Sequence, residues 1–367
     1  MAIHVLHIIG SLKLGGAQIC VKQLVEHNDD PEIEHFVYPL RSKQVDIPIE
    51  GNVIKLPYRN YDPRKFFAIF KLCKQYDIDI IHAHLHKPIL GALLARFFIN
   101  IPVVVHEHCS IAYRGLQYSI YRFILRIIKH KANLYIAVSK ATVKDLKYYA
   151  NVDPQYVQMV YNAVDFEKFT PNAEKRDILR REFGIGQDDM VLGFVGRISY
   201  VKGTELIIEA LSLLLKENPH YLAVFLGRGP QQHELIYLAE QRGIANRVKF
   251  LGFRKNVSDI LNVFDIALMP SRKEGLPLTT LEYMTMKIPV ISSGVDGMGE
   301  ILTDQENAVV LKENTPSCIC ENVLRLANDP DFRQSLINNA HRYVQDFSIP
   351  RFVQQINEIY RKLANRN

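Results

Sequence analysis

The sequence predicts an α/β protein with two Rossmann-like domains. Three observations lead to this prediction: short β-branched runs alternate with helical patterns, the alternation restarts after a stretch marked by Asn and Pro near residue 162, and glycines follow several of the runs. Such alternation is typical of βαβ units and a parallel sheet. The expected domains cover 1–162 and 163–349, with a C-terminal helix over about 350–367 that packs back on the first.

Four strand and helix pairs are predicted in the first domain. The strands are IHVLHII, DIDIIHAHL, IPVVVHE and LYIAVS, and the helices that follow them cover 17–27, 88–98, 116–130 and 140–149. The first run lacks a basic leader and a small-residue cleavage site and passes directly into a glycine turn, so we interpret it as a strand and not as a signal peptide.

The second domain repeats the pattern. Its predicted strands are MVLGFVG, YLAVFLG, RVKFLG, DIALMPS and IPVISS, each followed by a helical segment. Ligands of open parallel sheets bind at the carboxyl ends of the strands. Two such domains that face each other are therefore expected to enclose a cleft.

Composition narrows the class of protein. The chain is 48% apolar and has no apolar run of about 18 residues or more, which indicates a globular, soluble protein. Five scattered cysteines without paired C-x(2)-C units suit free thiols in the cytoplasm. The first 160 residues hold 20 Lys and Arg against 13 Asp and Glu, and the remainder holds 25 against 26. This basic excess does not choose among nucleic acid, anionic membrane and phosphorylated ligands.

Two glycine turns suggest anion binding. Gly15 and Gly16 precede an amphipathic helix whose N-terminus could receive an anion, although an ordinary tight turn has the same sequence. In GFVGRISYVKG, Arg197 and Lys202 flank a turn and could hold a diphosphate. A dinucleotide fingerprint is not present, because Gln232 stands where GRGPQQ would need its third glycine, and no Walker A lysine motif occurs.

An ordered set of motifs spans the whole chain and resembles the family 4 retaining glycosyltransferases of the group 1 type. The motifs are LGGAQ, VVVHEH, AVSK, VYNAVDFEKF, FVGRISYVKG, LGRGP, FLGFRKNV, PSRKEGLPLTTLEYM and PVISSGVDGMGEIL. The resemblance implies a GT-B fold. It also implies that the second domain holds most of a nucleotide-sugar donor and that the first holds the acceptor.

The segment KEGLPLTTLE carries two glutamates eight positions apart. Pro277 predicts a helix start near Leu278, which places Glu274 on a loop and Glu282 in the first turns of the helix. Carboxylates accept hydrogen bonds from vicinal hydroxyls, so one can bind a hexose and the other a ribose, with the helix N–H groups facing the phosphates between them. From these residues alone, a solvated acidic helix start is the alternative.

The resemblance implies a role for each of these groups. Glu274 would contact the sugar, Glu282 the ribose, and Arg197 and Lys202 the diphosphate. His106 would contact the transferred sugar, with a packed core histidine as the alternative. The other donor-binding positions that it implies are Gly16, Gly275, Leu276, Pro277 and Leu278.

No metal or cofactor is predicted. Positive charge on the leaving diphosphate makes a metal dispensable, and the D-x-D pattern of Asp77 and Asp79 precedes an apolar strand instead of following one. His82, His84 and His86 have the period-2 spacing of one strand face, which zinc sites can use. Because no fourth ligand is evident, packed or cleft-lining histidines are expected.

Three functions remain open. The leading one is a retaining transferase that moves a hexose or N-acetylhexosamine from a nucleotide-diphosphate sugar to a saccharide or lipid-linked acceptor in cell-surface polysaccharide or glycolipid synthesis. A GT-B-fold nucleotide-sugar 2-epimerase would need carboxylates in the first domain, where Glu107 is the one candidate. A non-catalytic sugar-nucleotide or membrane-binding protein is the third. No nucleic-acid partner is expected.

A cationic, amphipathic segment covers residues 114–131. Arg122, Arg126 and Lys129 share one face, and isoleucines and Phe123 occupy much of the rest. Together with 63–71 and 95–98, this segment is expected to contact the anionic inner face of the cell membrane from the cytoplasm. The alternative is that the isoleucines only pack against the sheet.

Overall fold

The computed structural model describes residues 2–41, 45–56, 58, 62, 64–113 and 115–365. The chain divides into two compact units. The first unit comprises Met1–Ala163 and Ile349–Asn367, and the second comprises Val164–Ser348. None of the five cysteines, all of which lie in the described ranges, forms a disulfide, as expected.

The first unit contains a seven-stranded sheet in the order β3-β2-β1-β4-β5-β6-β7, in which every pair is parallel. Its strands are β1 (Ile3–Ile9), β2 (Ile33–Pro39), β3 (Asn52–Val53), β4 (Ile80–His84), β5 (Val103–Glu107), β6 (Leu134–Ala137) and β7 (Val157–Met159). Its helices are α1 (Gly16–Glu26), α2 (Arg64–Gln75), α3 (His86–Ala95), α4 (Leu116–Ile128) and α5 (Lys140–Ala150), together with the C-terminal α14 (Ile349–Ala364).

Both faces of this sheet are covered, as a parallel sheet requires. Alternate strand residues such as Leu6 and Val105 join the core on one face, where α2 to α5 pack. The residues between them, such as Val5, join the core on the other face together with α1 and α14. Ile356 and Tyr360 are the fully buried centre of the apolar stripe of α14.

The second unit contains a six-stranded parallel sheet in the order β10-β9-β8-β11-β12-β13. Its strands are β8 (Met190–Val195), β9 (Tyr221–Leu226), β10 (Val248–Gly252), β11 (Ile266–Met269), β12 (Val290–Ser292) and β13 (Val309–Val310). Its helices are α6 (Ala173–Glu182), α7 (Thr204–Glu217), α8 (Gln232–Gln241), α9 (Val257–Leu261), α10 (Leu278–Thr285), α11 (Met298–Ile301), α12 (Pro316–Asn328) and α13 (Pro330–Tyr343).

The predicted class of two Rossmann-like α/β domains is confirmed. Each sheet reverses its strand order once, between β1 and β4 in the first unit and between β8 and β11 in the second. Such switch points are where open α/β sheets bind ligands. The strands that the sequence patterns missed, β2, β3, β7 and β13, lie toward the edges of the sheets.

Candidate active site

The predicted diphosphate and glutamate motifs meet at the switch point of the second sheet. The loop 196–203 follows β8, and the loop 270–277 follows β11, which is hydrogen-bonded to β8. Because parallel strands end at one edge of a sheet, the two loops emerge side by side. The backbone N–H of Arg272 donates to the carbonyl of Val201 at 2.7 Å and joins them.

Close backbone contacts fix the first of these loops. A Cβ on Gly203, which has φ +64°, would lie 2.0 Å from the carbonyl oxygen of Pro270. A Cβ on Gly227, which has φ +139°, would lie 2.0 Å from the carbonyl oxygen of Gly196. Only glycine fits at both positions, since backbone atoms cannot move aside as a flexible side chain can. The positions of Arg197 and Lys202 thus depend on neighbouring strand ends.

Lys202 and Glu274 form an ion pair between the two loops. The Lys202 ammonium donates to Oε1 of Glu274, and the Ser271 hydroxyl donates to the same oxygen at 2.7 Å. The backbone N–H of Glu274 donates to Oδ2 of Asp296 at 2.9 Å. The Glu274 side chain is only 6% exposed, whereas that of Lys202 is 25% exposed. A buried carboxylate needs such partners, because the loss of hydration is otherwise uncompensated.

Arg197, which lies on the same loop as Lys202, is exposed. The neighbouring cation, Arg272, has internal contacts. It donates to the backbone carbonyl of Tyr200 at 2.6 Å, and its guanidinium carbon lies 3.9 Å from the centre of the Tyr200 ring. It also forms an ion pair with Glu205. Of these two arginines, Arg197 is therefore the one whose guanidinium faces solvent.

The second glutamate lies on α10, which begins at Leu278 with Pro277 at its N-cap, as the sequence predicted. Gly275, Leu276 and Leu278 are buried around this helix start. Glu282 is 7% exposed, and burial raises its pKa to about 7, opposed by the charge of Lys168. The carboxyl of Glu282 is consequently a group whose charge changes near neutral pH.

Tyr283 anchors α10 to the sheet. Its hydroxyl accepts a hydrogen bond from the backbone N–H of Val195, the last residue of β8, at 2.8 Å. Tyr283 is fully buried, so α10 has little freedom to rotate. This contact fixes the helix that carries Glu282 against the strand that leads to Arg197.

The first unit holds the remaining predicted residues. Gly16 is exposed as the first residue of α1, where helix N–H groups lack intrahelical partners. His106 is fully buried near the end of β5, and neither ring nitrogen has a hydrogen-bond partner among the described residues. The histidine thus occupies a core position, and its role at a sugar stays a prediction.

The interpretation of three histidines on one strand face is wrong for His86. His82 and His84 lie in β4, but His86 is the first residue of α3 and packs against Tyr121 at a ring-centre distance of 4.3 Å. The strand ends at His84 because Leu85 turns the chain with φ +69°. Burial lowers the pKa of His86 to about 4.

Glu107, the candidate carboxylate of the epimerase hypothesis, is fully buried. It accepts a hydrogen bond from the hydroxyl of Tyr121, and burial raises its pKa to about 7. A group held in this way within the core does not present a carboxylate to a substrate.

Sequence reasoning missed the residues that support Glu274. Ser271 lies within the quoted motif, but only the fold shows that its hydroxyl points at the carboxylate. Asp296 follows β12 and reaches Glu274 because β12 pairs with β11. The sequence feature that could have identified Asp296 was its position shortly after a predicted strand of the same sheet.

Comparisons with known proteins identify the family of the chain. The family model described as Glycosyltransferase Family 4 matches residues 14–168, and the model described as Glycosyl transferases group 1 matches residues 175–343. The UDP-Gal:alpha-D-GlcNAc-diphosphoundecaprenol alpha-1,3-galactosyltransferase of Escherichia coli is 26% identical over 311 residues, which are 82% of this chain and 79% of that protein.

One further relative and one solved structure are also similar to this chain. The N-acetyl-alpha-D-glucosaminyl L-malate synthase of Bacillus anthracis is 25% identical over 310 residues, covering 83% of this chain and 80% of that protein. The crystal structure of Anabaena HepE in complex with UDP-glucose has a TM-score of 0.84 at 22% identity, with 98% of this chain and 100% of that chain covered.

We expect Glu282→Gln to stabilise the protein more at high pH than at low pH. The pKa of Glu282 in the folded state, about 7, lies above its ordinary value of 4.5. Ionisation therefore favours the unfolded chain as the pH rises through this interval, and glutamine removes that penalty. The gain in the free energy of unfolding should be on the order of 2 kcal/mol larger at about pH 8 than at about pH 5.

Denaturant unfolding at the two pH values measures this difference. The matched control is Glu321→Gln, which changes an exposed glutamate of α12. A gain that is equal at both pH values would contradict the assignment of the raised pKa to Glu282.

Proposed function

Because the chain belongs to the group 1, family 4 glycosyltransferases, we propose that it transfers a hexose or N-acetylhexosamine from a nucleoside-diphosphate sugar, with retention of the anomeric configuration. The proposed acceptor is a saccharide or a lipid-linked saccharide of cell-surface polysaccharide or glycolipid synthesis. The observation that carries this proposal is the Lys202 and Glu274 ion pair beside the N-terminus of α10, at the switch point of the second sheet.

The donor matches these groups in layout. Glu274 accepts hydrogen bonds from the sugar hydroxyls, and Glu282, eight positions further on, accepts them from the ribose. Lys202, exposed Arg197 and the first N–H groups of α10 supply positive charge for the diphosphate between them. Gly275, Leu276, Pro277 and Leu278 form the helix entry over which the diphosphate lies.

The chemistry needs positive charge at the leaving group. The bond from the anomeric carbon to the phosphate oxygen breaks, the acceptor oxygen bonds to that carbon, and the acceptor proton passes to a phosphate oxygen on the same face. Lys202 and Arg197 stabilise the negative charge that develops on the diphosphate, so this step uses no metal ion. When Lys202 turns to the diphosphate, Ser271 and Asp296 still hold Glu274 in place.

The first unit contributes the acceptor side in this proposal. Gly16 is the one donor-binding position proposed in this unit, where the N-terminal N–H groups of α1 suit an anionic group of the donor. His106 is included as a contact of the transferred sugar, which requires its buried ring to rotate toward the surface. The relatives set the order of a substrate search: UDP-sugars come first as donors, and lipid-linked diphosphate saccharides are tested beside small soluble acceptors such as malate.

A membrane-facing surface is also part of the proposal, and its three predicted cations all have hydrogen-bond partners within the first unit. Arg126 and Lys129 donate to backbone carbonyls of Tyr149 and Asn151 at the end of α5, and Arg122 donates to the carbonyl of Ile111. The bonds from Arg126 and Lys129 satisfy carbonyls that lack partners at the end of α5. The three side chains thus belong to the fold of the first unit. Arg114 and Pro63, at the starts of two predicted segments, lie outside the described residues.

Exposed apolar side chains on adjacent helices support the surface instead. Phe123 and Ile127 on α4 are exposed, so the isoleucines of this helix are not all used against the sheet. Phe98 after α3 is 79% exposed, and Phe67 on α2 is 74% exposed. Helices α2, α3 and α4 are neighbours on one face of the sheet. We call this set, with Phe97, the aromatic surface.

Lysines beside the aromatic surface provide charge complementary to anionic lipid. Lys71 and Lys74 on α2 are exposed, and the ammonium of Lys131 lies 4.2 Å from the centre of the Phe97 ring. Within the described ranges, no helix combines the length and apolar character that crossing a bilayer requires. The proposed location is therefore the inner face of the cell membrane, with the aromatic surface in the interface.

Lys202→Ala should lower the transfer rate about 10- to 100-fold, because one charge-assisted contact to the leaving diphosphate is lost. The assay incubates the protein with a panel of nucleotide sugars and bacterial lipid extract and identifies products by mass spectrometry, with the anomeric configuration read by NMR. Lys216→Ala, which removes an exposed lysine of α7, is the matched control. A Lys202→Ala protein with a wild-type rate would refute the diphosphate assignment.

Glu274→Gln and Glu282→Gln should separate turnover from nucleotide binding. Glu274→Gln is expected to lower kcat with little change in affinity for the free nucleoside diphosphate, since that ligand has no hexose. Glu282→Gln is expected to weaken that affinity by about tenfold, because a neutral amide with one acceptor oxygen replaces the charged carboxylate that accepts from the ribose. Isothermal titration calorimetry measures both affinities, and equal losses in the two variants would disprove the division of roles.

A Phe67→Ser/Phe98→Ser variant should bind vesicles at least about tenfold more weakly than the wild type, because two phenyl rings no longer enter the interface. Co-sedimentation with phosphatidylglycerol-containing vesicles measures this loss, and binding should also fall as salt approaches about 0.5 M. Tyr237→Ser, at an exposed aromatic of the second unit, is the control. Unchanged binding by the double variant would exclude the aromatic surface.

A further inference from the structure

The face of the first sheet that α14 covers carries six histidines. They come from β1, β2, β4 and the end of β5, and we call them the histidine cluster: His7, His35, His82, His84, His106 and His108. Strand pairing aligns them, because His7 lies opposite His82 and His84 lies opposite His106. The cluster therefore stands at the switch point of the first sheet.

Three members present ring nitrogens to one another. Nδ1 of His7 lies 3.1 Å from Nε2 of His84, and one nitrogen from each of His7, His82 and His84 lies within 4.8 Å of the others. Two imidazole nitrogens on one tetrahedral zinc ion are about 3.3 Å apart, given zinc to nitrogen distances of about 2.0–2.1 Å. The His7 and His84 pair already has nearly this separation.

The other ring nitrogen of each of these three residues is already hydrogen-bonded. Nε2 of His7 is 2.9 Å from Nδ1 of His35, Nδ1 of His82 is 2.6 Å from the hydroxyl of Tyr360, and Nδ1 of His84 is 2.9 Å from Nε2 of His108. Metal-binding histidines have this arrangement, in which a partner on the remote nitrogen fixes the tautomer and the ring orientation.

One nitrogen of the group is left without a partner. Nε2 of His82 is buried and has no hydrogen-bond partner among the described residues. A buried polar atom in this state costs free energy, and the other nitrogen of the same ring is taken by Tyr360. The unpartnered atom belongs to the residue that completes the group with His7 and His84.

We propose that His7, His82 and His84 bind one Zn²⁺ ion, through Nδ1 of His7 and Nε2 of the other two, with water in the fourth position. Imidazole nitrogen suits zinc, and a fully buried set of ligands ties β1, β4 and, through Tyr360, α14 together. His84, His106 and His108 form an overlapping group, but neither nitrogen of His106 has the remote partner that orients a ligand. The ion has no part in the donor chemistry proposed for the second unit.

Zinc titration of the full-length protein tests the proposal. After chelator treatment, the protein should bind one equivalent of Zn²⁺ with submicromolar affinity in competition with a chromophoric chelator, and X-ray absorption should show three imidazole nitrogens at about 2.0–2.1 Å. No binding at one equivalent, or a ligand shell of carboxylate oxygens, would overturn it. In that result the cluster is a chain of hydrogen-bonded neutral imidazoles.

A variant outside the ligand set keeps the test independent of folding. Tyr360→Phe removes only the hydroxyl on His82 and should weaken Zn²⁺ binding about 10- to 100-fold. The matched control is Tyr135→Phe, which removes a buried hydroxyl bonded to the carbonyl of Lys129 on the other face of the same sheet, and it should leave the affinity unchanged. Equal affinities in the two variants would refute the role of Tyr360.

Ligand variants assign the group. His82→Asn and His7→Asn should each abolish stoichiometric binding, whereas His130→Asn, at an exposed histidine, should not. Binding that survives His7→Asn but is lost in His106→Asn would overturn this assignment in favour of the overlapping group.

Discussion

The reversal of strand order within each sheet is the constraint on which both sites depend. Crossover connections between parallel strands are right-handed, so helices that follow strands on either side of the reversal pack on opposite faces. The loops at that point separate and leave the strand ends accessible. In the second unit these ends are β8 and β11, and they bring a cation loop against a carboxylate loop. In the first unit they are β1 and β4, and they bring histidines together.

Within the second unit, polar groups are placed by backbone contacts and not by long side chains alone. Gly203 and Gly227 let the loops at the strand ends pack directly against the carbonyl oxygens of neighbouring loops. These contacts fix the backbone on which Arg197 and Lys202 stand. Tyr283 fixes α10 in the same manner through β8. Because the backbone of both loops is held in this way, the Lys202 side chain is the group that moves in the proposed reaction, when it exchanges Glu274 for the diphosphate.

Much of the fold could be predicted from the sequence, because buried strands and their following helices have strong periodic signals. The start of α10 at Leu278 was also predictable, since proline acts locally. Strand β2 was missed because IEHFVYP includes a charge and a proline, and its place in the sheet comes from its pairing with β1 and β3. The contact between His7 and His82 could not be predicted for a related reason. Alternation along a strand shows which face of the sheet a residue occupies, but it does not show the register between two strands. The partners of Arg126 and Lys129 could not be predicted, because their acceptors, carbonyls at the end of α5, are distant in sequence.

The chain order of the first unit has a consequence for synthesis. Its sheet is complete after Ala163, but the helix that covers one face, α14, is synthesised only after all 185 residues of Val164–Ser348. Until then, Val5, Ile80, Val104 and the histidines are without their cover, and a nascent chain with such a face is prone to aggregate. The second unit, contiguous in sequence, can fold while this face is still open. The first unit therefore finishes folding after the second unit. The need for chaperones during synthesis should be concentrated on the first unit.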